Sequence, residues 1–132
     1  MEPLPQKGFV WHELMTTDLD GAERFYKEVV DMSAMPISEE PGAYRIISFD
    51  DKQAGGLVGP RNGSADWPSG GPTPHWVPNF GVPDADAAAD RAKALGGKIL
   101  VEPTSVPGFG RAAVIRDPQG AVFGVFSPGA EA

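Results

Sequence analysis

The pattern Asp18-x-Asp20-x-Ala22 returns 66 residues later as Asp84-x-Asp86-x-Ala88. The same interval separates Gly42-x-x-Arg45 from Gly108-x-x-Arg111, Asp51 from Asp117, and Val29 from Leu95. One offset held in one order across four groups points to two copies of a single supersecondary unit, because a fixed period is how such architectures announce themselves. The chain is 132 residues long, twice that interval. A chain of this length makes one folding domain, here residues 1–132.

Each half reads as a strand, a helix and three further strands. In the first, FVWHELMT (Phe9 to Thr16) is rich in β-formers and runs into Thr17-Asp18, which is helix N-cap chemistry. A helix over 19–30 follows, with Leu19, Ala22, Phe25, Tyr26, Val29 and Val30 at helical spacing and Asp31 as its end. Strands are expected at 34–38, 44–49 and 53–58, separated by the turn signals Pro41-Gly42 and Asp50-Asp51. In the second half the strand is 75–82, the helix 84–95 with Gly96-Gly97 as its stop, and the remaining strands 98–102, 111–116 and 121–126. Asp117-Pro-Gln-Gly120 reads as a tight turn. The modules, 9–58 and 75–127, are joined by residues 59–74, a Gly/Pro/Ser-rich stretch that reads as a linker or a flap.

Composition removes several functional classes. There is no cysteine, hence no disulfide framework, no zinc ribbon and no thiol nucleophile. Residues 1–7 lack a basic-then-apolar leader pattern, and no apolar run approaches the roughly 18 residues a membrane span needs. A cytoplasmic location is expected. Eighteen acids against eleven bases, without a basic stripe, argue against nucleic acid and leave a small molecule as the expected partner. No phosphate-cradling Gly loop joins a strand to a helix, and no Gly-x-Ser-x-Gly elbow occurs.

Two stretches, DLDGAERFYKEVV (Asp18 to Val30) and IRDPQGAVFGVF (Ile115 to Phe126), together with the repeat, resemble the vicinal oxygen chelate superfamily of glyoxalase I, the bleomycin-resistance proteins and the extradiol dioxygenases. The likeness covers nearly the whole chain and is closest in type to the metal-free, bleomycin-resistance-like branch. It implies an α+β fold in which two tandem βαβββ modules form a curled mixed sheet around a cavity, commonly in a homodimer with or without exchange of modules. It also implies where a divalent metal would sit in the enzymes, on the first and last strands of each module. Here those positions hold Trp11, Val77 and Gly124, with Gly56 or Val58 at the fourth according to where a turn gap falls. None can ligate a metal, which takes imidazole, carboxylate or thiolate donors. No cofactor is expected. His75 and Glu13 are the donors left, too few for a firm divalent site.

Strand alternation places Trp11, Glu13 and Met15 on the cavity face of the first strand and His75, Val77 and Asn79 on that of the fifth. Val10, His12 and Leu14 then face the helix, which makes His12 structural, and Trp76 falls on the helix side too. The expected ligand-contacting set is Trp11, Glu13, Met15, Tyr44, Trp67, His75, Asn79 and Phe109. An apolar, aromatic pocket with a few polar groups suits a small ligand that is partly aromatic. Glu13 is the candidate general base if there is turnover, its alternative role being a structural partner of strand backbone, Arg45 or Arg111. Three functions remain: sequestration of a bulky, partly aromatic ligand such as an antibiotic; a metal-free or atypical isomerase or lyase using Glu13; or a dimer with a vestigial cavity. The missing ligands tilt the balance toward binding.

Overall fold

The computed structural model describes residues 7–36, 44–59, 74–106 and 109–128. Its elements run β1 (Gly8–Met15), α1 (Leu19–Val30), β2 (Ser33–Pro36), β3 (Tyr44–Phe49), β4 (Lys52–Val58), β5 (His75–Gly81), α2 (Ala85–Ala94), β6 (Lys98–Val106), β7 (Gly110–Arg116) and β8 (Val122–Pro128). The architecture is α+β. The chain divides into two compact units, one comprising the described residues 11–59 with 74–76, the other 7–10 with 77–128.

In the first unit the strand order is β2-β3-β4-β1. The β1/β4 pair is parallel, while β2/β3 and β3/β4 are antiparallel, so the sheet is mixed. Asp18 caps α1, its carboxylate accepting the Gly21 amide at 2.9 Å, and Asp31 closes the helix in the left-handed region at φ 60°. The core is Leu14, Met32, Ile47 and Leu57, with Leu19, Ala22 and Tyr26 of α1 packed on it. The helix seals only that narrow stripe. Phe25, Val29 and Val30, expected on the same face, are exposed instead, because 19, 22 and 26 already complete the contact. His12 was expected to lie against the helix but is exposed; the helix packs on Leu14, further along the strand.

The second unit repeats the plan with strand order β5-β8-β7-β6, again parallel only between its first and last strands. Asp84 caps α2 by accepting the Ala87 amide, and Gly96 takes φ +95° just past the helix end. Ala85, Ala113, Ile115 and Val125 form the core, with Ala88 and Ala92 of α2 against it. Strand β6 runs four residues past its expected end at 102. Its ladder with β7 shifts register between Val101 and Thr104, and that irregularity takes up Pro103, which has no N–H for the ladder.

Three matched pairs of the repeat, Asp18 and Asp84, Asp20 and Asp86, and Arg45 and Arg111, do matched work. Asp18 and Asp84 cap the helices. Arg45 binds Asp20 at 2.8 Å and Glu23 at 2.7 Å, and Arg111 grips Asp86 through two nitrogens at 2.7 and 2.9 Å, so in each unit a strand arginine is clamped to the first turn of the helix.

Candidate functional site

In the first unit β1 presents Trp11 and Glu13 on one face, two residues apart, as strand alternation requires. Tyr44, at the start of β3, joins them. The Trp11 indole N–H donates to the Tyr44 hydroxyl at 2.8 Å, and that hydroxyl donates to Glu13 Oε2 at 2.7 Å. All three side chains are half-buried. Burial, then the adjacent Glu13 charge, push the Tyr44 phenol well above the usual tyrosine range. With the indole feeding the phenol and the phenol feeding the carboxylate, the hydroxyl has one orientation open to it.

The space under this trio is set by β4. Glu13 registers with Gly56, and a Cβ at 56 would fall on the Tyr44 hydroxyl and ring. In the second unit Asn79 of β5 registers with Gly124 of β8, and a Cβ at 124 would fall on the Asn79 carboxamide oxygen. The two registers agree, so Gly56 rather than Val58 is the counterpart of Gly124. A carboxylate ligand from either position would have to pass through Tyr44 or Asn79. The residues at hand therefore do not fit the metal that the fold implies, and among the described residues no group of three or more His, Cys, Asp or Glu is placed to hold one.

The other expected site residues are scattered in character. Met15 is buried at the end of β1, offering almost no surface. His75 is half-buried at the start of β5. Val77 and Asn79 are buried in the second unit, and Phe109 is exposed on the β6–β7 turn. Trp67 lies outside the described residues. Trp76, expected on the helix side, stands edge-on to Tyr26 of α1 at 5.5 Å and donates to its hydroxyl at 3.3 Å. Tyr44 is a hydrogen-bond partner of Glu13, while Arg45 and Arg111 bind helix carboxylates. Single-strand alternation cannot reveal the hydrogen-bonded trio, since Tyr44 joins from another strand; the signal that would have found it is the small residue at 56 facing a carboxylate at 13.

An α+β chain with mixed strand pairing and two helices fits a known class of fold. Residues 8–125 match the Glyoxalase/Bleomycin resistance protein/Dioxygenase superfamily, and the chain belongs to it. Among curated proteins it is 39% identical over 120 residues to "Putative glyoxylase CFP32" of Mycobacterium tuberculosis, covering 90% of this chain and 43% of that one. It is 31% identical over 133 residues to the anthracycline biosynthesis protein DnrV of Streptomyces peucetius, covering 90% and 46%. The chain thus spans less than half the length of these relatives. Among solved structures, methylmalonyl-CoA epimerase from Mycobacterium tuberculosis superposes with a TM-score of 0.63 at 18% identity, covering 99% of this chain and 95% of that one. A variant of homoprotocatechuate 2,3-dioxygenase from B. fuscum gives 0.64 at 21%, covering 97% and 34%. At those identities the likeness is one of fold.

Proposed function

We propose that this chain binds and sequesters a bulky, partly aromatic small molecule, using the Trp11, Tyr44 and Glu13 face and no metal. The observation that carries the reading is the hydrogen-bonded trio itself. It sets two aromatic surfaces beside a carboxylate that already has a fixed donor, which is the make-up of a recognition surface. The name of the anthracycline-biosynthesis relative supports a ligand of that class. As a binding protein the chain acts as a cytoplasmic homodimer.

The test is a titration with an anthracycline, followed by tryptophan emission and by chromatography of the recovered compound. Saturable binding with the compound returned unchanged is the expected result. Trp11→Ala should weaken binding at least fivefold, equivalent to about 1 kcal/mol, the scale for losing a stacking ring. Conversion of the compound in excess of the protein would overturn sequestration.

A second reading is favoured by the 2.7 Å contact between Tyr44 and Glu13. A half-buried carboxylate next to a fixed phenol suits proton transfer in an isomerase or a glyoxalase-like lyase. On that reading Glu13→Gln abolishes turnover and leaves binding intact.

A further inference from the structure

In the first unit the Trp11, Tyr44 and Glu13 side chains carry two hydrogen-bond donors between them, and each is used within the trio. An indole has one N–H and a phenol one O–H. The Trp11 N–H goes to the Tyr44 oxygen at 2.8 Å, and the Tyr44 O–H goes to Glu13 Oε2 at 2.7 Å. Burial beside the Glu13 charge keeps the phenol protonated, so its hydrogen stays on the carboxylate. Arg45, one residue on from Tyr44, falls on the other side of β3 by alternation and binds Asp20 and Glu23 of α1.

As a set, the three side chains therefore offer a ligand acceptor atoms and ring faces. A carboxylate is acceptor-only, a phenol oxygen has two lone pairs, and the indole and phenol rings present negative π faces. An anion would find no donor among them. A neutral hydroxyl or amide brings acceptors that stay unmatched. The full complement is a group with donors and positive charge only, which is a protonated amine. Such a group donates to the carboxylate in a charge-assisted bond and is attracted by an aromatic face within about 6 Å. Trp11 and Glu13 stand two residues apart on one strand, roughly 7 Å along it, so one ammonium group can serve both. The geometry is also set in advance. Tyr44 is held at its ring by Gly56, where a Cβ would fall on it, and at its hydroxyl by two hydrogen bonds. Little freedom of that side chain is left to lose on binding.

We propose that the Trp11, Tyr44 and Glu13 face receives an organic ammonium group, so that the ligand is a cationic amine with an aromatic body and anions of the same shape are turned away. The inference rests on the binding reading above and adds the charge of its ligand.

The experiment uses the full chain and three probes of one shape: benzylamine, which is protonated at neutral pH, benzyl alcohol and benzoate, each titrated by calorimetry. Benzylamine should bind saturably and about tenfold tighter than benzyl alcohol, the scale of one charge-assisted hydrogen bond. Benzoate should give no saturable heat. Glu13→Gln should bring benzylamine down to the affinity of benzyl alcohol, whereas Tyr44→Phe, which keeps the ring and the carboxylate, should retain the preference for the amine. Absence of benzylamine binding, benzyl alcohol or benzoate binding as tightly as the amine, or a preference that survives Glu13→Gln would each overturn the assignment. Should Glu13→Gln not fold, the three probes on the parent protein decide alone. An anthracycline that binds while the probes show no preference for the amine keeps sequestration and overturns the cation site. One that is converted, with the preference intact, removes sequestration and keeps the site.

Discussion

The Tyr44 ring lies across the backbone at Gly56, so that a Cβ at this position would fall on the phenol oxygen and on two ring carbons. Since the ring is pinned by Trp11 and Glu13, it cannot swing away cheaply. Gly56→Ala should therefore destabilise the protein by about 1–3 kcal/mol, the usual range for overpacking a filled site. Urea unfolding measures it. The Gly56→Ala/Tyr44→Ala double variant should lose clearly less than the sum of the two single losses, because one clash is removed with its cause. Additive losses would mean that the two residues do not share the space.

The Tyr44 hydroxyl should resist ionisation for as long as the chain stays folded. Burial and the Glu13 charge both disfavour the phenolate, so the folded group binds its proton more tightly than the unfolded one. The sign follows: stability from this group is whole below the unfolded tyrosine value of about 10 and declines as pH rises beyond it. The chain has two tyrosines, so Tyr26→Phe leaves Tyr44 alone. Absorbance near 295 nm in that variant should rise only as alkaline unfolding proceeds, in step with circular dichroism. Ionisation near pH 10 in a still-folded protein would refute the buried trio.

Much of this fold is legible in the sequence because it is written locally. The limits of α1 and β3 follow from capping, turn residues and periodicity, and the shared face of Trp11 and Glu13, which both reach Tyr44, follows from alternation. The repeat is legible for a physical reason too: Asp20 with Arg45, and Asp86 with Arg111, must match because each pair ties a strand to a helix across the same distance. What stays hidden depends on long-range contact. Nothing near position 25 says that α1 buries only the stripe through Leu19, Ala22 and Tyr26. Nothing near position 13 says that its partner comes from Tyr44, 31 residues away. Pro103 argues locally for a strand end, and a register shift against β7 overrides it.

The clamp in the second unit makes acid sensitivity testable. Hydrogen bonds from the Arg111 guanidinium hold the Asp86 carboxyl below the usual carboxylate range. A group with a lowered folded value stabilises the fold above its unfolded value of about 4, and this stabilisation disappears as pH falls through the folded one. Arg111→Ala should thus lower the thermal midpoint at pH 7, and the gap to the parent protein should close as pH falls below the unfolded value of about 4. Both partners are solvent-exposed, so salt should also narrow the gap. A gap independent of pH and salt would assign the loss to packing of the arginine stem instead.

The strand positions that hold a metal in the fold's enzymes are where this particular chain carries other residues. Trp11 and Val77 offer no donor, and carboxylates built from 56 or 124 would run into Tyr44 or Asn79. Titration with Zn²⁺ or Ni²⁺ should accordingly give no stoichiometric heat, and dialysis against a chelator should leave the thermal midpoint unchanged. The readout is sensitive enough to decide, because a site filled at a hundred times its Kd stabilises by about 2.7 kcal/mol, several degrees in a chain of this size. Stoichiometric metal in protein purified without chelator would contradict the steric argument. The donors to replace first would then be His75 and Glu13, and loss of that metal in Glu13→Gln would move the carboxylate from ligand recognition to coordination.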